Sequence, residues 1–266
     1  MKKYLAVAKI LFKAQFAYRF DVIFTALGTI WKVVFAYILW GAVFAERAEV
    51  GGFTFQAMLS YYVVSAFLTT MDLSDGVSGE LASRIREGTF SKYMVIPDHP
   101  LPHFLAQTAG AGGYYGLFAA LAAAVSTLVF RVQLAVTGDP RKILLAAVIF
   151  LLGVVFMNCY SFFLGVWAFK FQEISFLTQH TLPAIVAFLK GEFVPLALLP
   201  AVFGGILPYL PFTHVAYTPT MLLTGRMSLD DGLHGLAVLA VWTAGMWLAA
   251  VLAYRRLRIR YEGVGI

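Results

Sequence analysis

Residues 72–97 read DLSDGVSGELASRIREGTFSKYMVIP, the longest mixed-charge segment in an otherwise apolar chain. The segment lies between two apolar runs, residues 53–70 and 104–130. A membrane-spanning helix needs about 20 apolar residues, so both flanks are of spanning length. Within the segment, Leu81 and Ile85 are four apart and share one helix face, with Glu80, Arg84 and Glu87 as polar neighbours. Gly88 is placed to stop that helix. A second short helical piece fits residues 90–94 before Pro97. A polar helix held between two spans suits taking a push from the aqueous side and passing it to the spans. The alternative is a solvated loop helix with no partner.

Composition sets the class. The 266 residues are 61% hydrophobic and 13% charged, with a mean hydropathy of +0.80. Soluble domains carry about 25% charged residues. No second composition regime appears, so the chain reads as one transmembrane domain over residues 1–266, all-α and polytopic, with six transmembrane helices. The formal charge of +6 is concentrated at the ends and forms no stripe for nucleic acid. The single cysteine, Cys159, can build neither an internal disulfide nor a four-ligand zinc site. The N-terminal basic residues continue through Lys9, Lys13 and Arg19 with no compact apolar stretch before a cleavage site, unlike a signal peptide.

Residues 1–19 read as an interfacial helix. Tyr4, Val7, Leu11, Ala14 and Tyr18 recur at spacings of three and four, and Lys2, Lys9 and Lys13 fall nearly opposite. The alternative is that they extend the first span. That span covers residues 22–44 and is interrupted by Lys32. An intramembrane lysine costs about 2.5–3.5 kcal/mol on insertion scales and must face protein or water. Two readings of Lys32 stand: a pathway or interface residue, or a partner for a carboxylate on a neighbouring helix or subunit.

The second span is 53–70 and the third lies within 104–130, where Gly110, Gly112, Gly113 and Gly116 admit a close neighbour. Pro97, Pro100 and Pro102 mark the re-entry into the membrane, and prolines between His99 and His103 work against a regular turn that would pair them on a metal. The fourth span lies within 143–169, the fifth is 174–189, and the last is 235–254. Between the last two, residues 193–212 are apolar but contain Pro195, Pro200, Pro208 and Pro211. Four prolines oppose a straight spanning helix, and broken apolar backbone survives only where protein or a wet cavity shelters it. Residues 193–226 therefore read as an external re-entrant pair of short helices, with a kinked seventh crossing as the alternative.

Orientation follows from Lys and Arg. One side receives Lys2, Lys3, Lys9, Lys13, Arg19, Arg84, Arg86, Lys92, Lys170, Arg255, Arg256, Arg258 and Arg260, thirteen in all. The other receives Arg47, Arg131, Arg141, Lys142, Lys190 and Arg226. Both termini and residues 72–97 are then cytoplasmic, and a seventh crossing would put the C-terminal arginines outside. Asp21 and Asp72 fall at predicted span ends, where solvation is expected. No phosphate-binding GxxxxGK[ST] and no HExxH occur, and Gly76-Val77-Ser78-Gly79-Glu80 lacks the setting of a nucleophile elbow. A membrane-embedded enzyme has no paired catalytic groups to work with. The rival function is a stand-alone secondary transporter or channel.

Taken together, these features resemble the membrane subunit of type-2 ABC transporters, a permease family that works mainly in export. The most specific part is Arg84-Ile85-Arg86-Glu87-Gly88-Thr89-Phe90 followed by Met94-Val95-Ile96-Pro97. It is similar to the family's basic helix, glycine, apolar residue and closing apolar-proline pair. Gly191-Glu192-Phe193-Val194-Pro195-Leu196, then Pro200, Leu210-Pro211-Phe212 and Gly225, look like the family's external helices. Tyr261-Glu262-Gly263 resembles a weakened form of its C-terminal ending, and Pro97-Asp98-His99-Pro100 departs from its pattern.

The resemblance implies a coupling helix that touches an ATP-binding subunit through Glu80, Arg84, Ile85, Glu87, Gly88 and Phe90. It implies a smaller contact at residues 170–173, including Glu173, and an external gate at Pro195, Pro200, Pro208 and Pro211. It also implies two ATP-binding subunits that carry the ATP and Mg, no cofactor in this chain, a second permease, identical or homologous, and residence in a bacterial plasma membrane. Among family branches, this chain looks closest to the bacterial one usually paired with a dissimilar permease.

Overall fold

The computed structural model describes residues 2–17, 19–95, 99–171 and 181–260, and every structural statement below concerns these. Their regular structure is helical: α1 (Lys2–Ala14), α2 (Arg19–Val43), α3 (Phe55–Met71), α4 (Gly76–Arg86), α5 (Ser91–Met94), α6 (Pro100–Val129), α7 (Pro140–Val166), α8 (Leu182–Leu189), α9 (Ala201–Gly204), α10 (Pro211–Val215), α11 (Tyr217–Leu223) and α12 (Leu229–Leu257). Four helical stretches are long and apolar enough to cross a membrane: Phe20–Val43, Pro100–Val129, Pro140–Phe169 and Leu229–Leu257.

Local chemistry sets where the helices begin. Thr54 caps α3 by accepting from the Ala57 N–H, and Ser228 caps α12 by accepting from Asp231. The α12 helix also carries Asp230 and Asp231 in its first turn and Arg255 and Arg256 in its last, each charge suiting the helix dipole. Asp139 and His99 cap α7 and α6, each followed by proline. Proline is tolerated in a first turn, where its missing N–H has no intrahelical partner to lose. The prolines around His99 therefore open α6 at Pro100, four residues before the predicted span, and His103 falls within its first turn.

Two predicted spans are not among the four long stretches. The second, expected over 53–70, is α3, whose 17 residues rise about 25 Å before the chain breaks at Asp72. Of the fifth, α8 accounts for Leu182–Leu189; residues 174–180 lie outside the described residues. Glu173, Pro97, Tyr18 and the stretch 261–263 also lie outside them.

The most enclosed long helix is α7, which packs against α4, α10, α11 and α12. Small residues permit the closest approaches. A Cβ at Gly153 would meet the Val215 backbone, and one at Gly165 would meet Ser78 and Leu81 of α4. The α1 helix lies along the first half of α6: a Cβ on Gly110 would strike the Ala8 carbonyl, and the Phe12 ring stands 5.8 Å from that of Tyr114. Tyr4, Val7 and Leu11, the apolar face that the sequence assigns to the membrane surface, are thus half-covered by protein.

Residues 193–226 form a hairpin that enters and leaves at one end of the bundle. Leu198 packs over Gly51 in the loop before α3. Tyr209 then lies deep, its carbonyl accepting from Trp242 Nε1 at 3.0 Å, thirteen residues or about 20 Å into α12. The chain climbs back through α10 and α11, and Arg226 donates to the Gly52 carbonyl. Each proline opens a short piece: Pro195 and Pro200 precede turns starting at Leu196 and Ala201, Pro208 lies in the turn Leu207–Tyr209, and Pro211 starts α10.

The α1–α6 contact is testable. Gly110→Leu should lower the thermal stability of the detergent-purified chain by an amount typical of overpacking, about 1–3 kcal/mol. Gly113→Ala should leave it near wild type, because a Cβ there meets only Phe12 at 3.8 Å.

Candidate functional site

The break after α3 is where the charges gather. Asp72 ends α3, and its backbone N–H still bonds to the Thr69 carbonyl. Its Oδ1 accepts from the Ser74 N–H at 3.2 Å and from the Ser74 hydroxyl, a local turn that ends one helix and sets up the next. Its Oδ2 receives Lys190 Nζ at 3.2 Å. Both side chains are almost fully buried, at 2% and 3% exposure. Lys190 Nζ also stands 3.8 Å from Asp75 Oδ2, the residue that precedes α4.

Polar groups from two more helices close the turn. Asn158 of α7 donates to the Ser74 hydroxyl at 2.8 Å and accepts from Thr108 of α6 at 2.8 Å. The Ser78 N–H of α4 donates to the Ser161 hydroxyl of α7 at 3.2 Å. Buried charge is tolerated only when paired and hydrogen-bonded. Asp72 meets that condition through Lys190 and Ser74, and Ser74 in turn is tied to α7.

Lys190 reaches this point from the turn after α8. Gly191 has φ +75, and a Cβ there would crowd the Tyr61 hydroxyl, so glycine fits the site. Tyr61 donates to the Gly191 carbonyl at 2.7 Å and Tyr62 to that of Phe193 at 2.6 Å. Glu192 in the same turn takes Lys32 of α2 at 3.2 Å, and Lys32 also donates to Thr69 at 3.4 Å. Of the two readings of Lys32, the described chain supplies the paired carboxylate, and it is Glu192.

The sequence places Asp72 at a cytoplasmic span end and counts Lys190 on the opposite face. A 3.2 Å ion pair cannot join opposite faces of a bilayer core about 30 Å thick. Tyr61 and Asp72 are eleven residues apart on α3, about 16 Å, and the 190–193 turn touches both levels. Its charges lie in the protein interior, and the chain reaches the bundle end only near Leu198. Asp72 is correspondingly no solvated end group. The signal for this was slight: a charged triplet between two apolar runs looks like a span end, and one sequence does not say which acid meets which base.

The sequence-predicted contact residues divide by burial. In α4, Glu80 is exposed and Arg84 half-exposed; they pair at 2.6 Å. Glu87 is exposed and accepts from Ser83 at 2.5 Å. Gly88 has φ +74 and lets the Phe90 N–H turn back to the Arg84 carbonyl at 3.0 Å. Ile85 and Phe90 face inward: Phe90 is fully buried, its ring 5.4 Å from Phe169 and 6.3 Å from Tyr254. They fix α4 to α7 and α12, which leaves Glu80, Arg84 and Glu87, with Arg86 and Thr89, on the outer surface.

A helix broken at a buried charge, a short amphipathic helix pinned by an aromatic plug, and an apolar hairpin open to one end are now in place. The family model described as ABC-2 family transporter protein matches residues 30–265. The chain belongs to the ABC-2 transporter family. It is a type-2 ABC transporter permease, a membrane component of a family whose members generally pair with an ATP-binding ABC subunit. No curated protein and no solved structure matches it.

In this ABC-2 permease, Lys190→Met should strand two acids, and Asp72→Leu should leave the lysine with Asp75 alone, at 3.8 Å. Removing one partner of a buried pair costs about 3–5 kcal/mol. Either single change should lower the melting temperature in detergent. Asp72→Leu combined with Lys190→Met should recover much of the loss; an additive double variant would show that the pair carries no coupling.

Proposed function

We propose that this chain is the path-forming and force-receiving subunit of an ATP-driven ABC exporter. In this reading a second permease, identical or homologous, completes the path, and two ATP-binding subunits hold ATP and Mg. They dock on the exposed side of α4, through Glu80, Arg84 and Glu87, with residues 170–173 as a smaller contact. The chain crosses the membrane six times with α1 at the cytoplasmic surface, the 193–226 hairpin is external, and both termini lie in the cytoplasm of a bacterial cell. Omitting the buried Lys190 leaves thirteen Lys and Arg against five, which supports that orientation.

The observation that carries the reading is the junction of α4 with the 190–193 turn. Asp72 and Asp75, just ahead of α4, both face Lys190. The same turn continues through Leu198 into the hairpin and holds Lys32 of α2 through Glu192. A displacement of α4 therefore acts on the base of the hairpin through the buried Lys190–Asp72 pair, which is expensive to break, and on the first span through Lys32–Glu192. The apolar packing of Leu81 and Ile85, and of the Phe90 ring just beyond α4 against Phe169 and Tyr254, keeps α4 from sliding free of the bundle while it is pushed.

Glu87→Arg reverses a charge on the docking face, and Gly88→Pro removes the N–H and the positive φ that turn the chain back. Each should leave membrane insertion intact while transport per ATP hydrolysed by the reconstituted complex falls to near background. Wild-type export by either variant would refute α4 as the coupling element. Transport by the purified chain alone in proteoliposomes would favour a stand-alone carrier instead.

A further inference from the structure

A second polar feature lies away from the charge junction, where α1, α5 and the start of α6 meet. A cavity of about 140 Å³ is lined there by Lys3 and Tyr4 of α1, Tyr93 of α5, and His99 and His103 at the head of α6. The space is large enough to admit a phosphate group.

The surroundings are cationic. Lys92 lies over the Tyr93 ring at 5.1 Å and Arg84 over the same ring at 5.9 Å; Lys3 lies over Tyr4 at 4.9 Å. Burial, and then the nearby Arg255 and Arg258, lower the His99 pKa to about 4, so this imidazole is neutral at physiological pH. Its Nδ1 accepts from the Leu101 N–H at 3.2 Å, so the proton is on Nε2, a buried donor with no hydrogen-bond partner among the described residues. Among the described residues, Glu80 acts on His103 and is itself held by Arg84.

The rim differs from the lining. Directly after the lining residue Tyr93, Met94 is exposed and Val95 is 83% exposed. A soluble anion has no use for such a rim, whereas a phospholipid presents a phosphate with acyl chains attached. Basic pockets beside membrane helices attract anionic head groups, at about 1 kcal/mol per Lys or Arg near the surface.

We propose that this cleft holds the head-group phosphate of an anionic phospholipid, with its acyl chains lying along Met94 and Val95. Lys3 and Lys92 supply charge, and His99 Nε2 and His103 supply hydrogen bonds to phosphate oxygens. The lipid bridges α1 to the α4–α5 turn, which makes it a fixture beside the element that receives the push. This assignment stands on the cleft alone and does not require α4 to be the coupling helix.

Native mass spectrometry of the full-length chain, titrated with dioleoylphosphatidylglycerol or dioleoylphosphatidylcholine, tests it. The wild type should retain phosphatidylglycerol in clear preference. Lys3→Gln with Lys92→Gln should cut that preference roughly 20–30-fold, by the per-charge value for two lysines. Both lysines are exposed, so the fold should survive the change. Lys2→Gln with Lys9→Gln, also exposed on α1 but outside the cleft, should keep the preference. Millimolar glycerol phosphate should fail to displace the lipid. Equal retention of the two lipids by the wild type would overturn the proposal, as would an unchanged preference in the Lys3/Lys92 variant. Full displacement by glycerol phosphate would reassign the cleft to a soluble anion. Export or ATPase defects in coupling variants bear on none of these outcomes.

Discussion

A lysine and an aspartate buried together, away from water, constrain nearly everything around them. Lys190 is fully enclosed, so its charge must be met where it lies, and Asp72 Oδ2 meets it at 3.2 Å. Asp72 can do so only if α3 stops there and the chain turns. That turn leaves Ser74 to bind Asn158 and starts α4 against α7. Lys190 can be there only if α8 ends deep in the bundle, and Gly191 and the two tyrosine hydroxyls hold the next turn in place. The interrupted second crossing and the deep end of α8 share one electrostatic cause.

The same constraint separates what the chain's pattern reveals from what it hides. Hydropathy and turn chemistry mark the long helices well, because each has a strong apolar run and a recognisable start: Asp139-Pro140 for α7, Ser228 with two following acids for α12. Gly88 as a stop is legible because few other residues take φ +74. The four prolines between residues 193 and 212 announce broken helix, and the hairpin obeys them. The burial of Ile85 and Phe90 was harder to read. An apolar residue on a short amphipathic helix can face a partner subunit or its own bundle, and only the tertiary contacts with Phe169 and Tyr254 decide.

The charge junction was illegible for a different reason. Lys190, Glu192, Asp72 and Asp75 sit at the borders of apolar runs, where charge normally meets water. Pairing between positions 118 residues apart has no local signature. The same holds for Lys32, whose partner Glu192 is 160 positions away. Membership of the ABC-2 family gives these pairs a context: under the proposed coupling role, a permease needs a stiff connection between the surface met by an ATP-binding subunit and the parts that open. Paired charges in a medium of low dielectric provide stiffness, because every partly separated state exposes an uncompensated charge.

The central claim is that α4 and the 190–193 turn move as one body. Spin labels at the exposed positions Arg86 and Phe193, with a third at the exposed Leu121 on α6, test it in the complete transporter by pulsed dipolar distance measurement. On ATP binding, the Arg86–Phe193 distance should keep one unshifted population while the Arg86–Leu121 distance changes. A shift or splitting of the Arg86–Phe193 distance would contradict the account, because it would mean that α4 moves without carrying the turn with it.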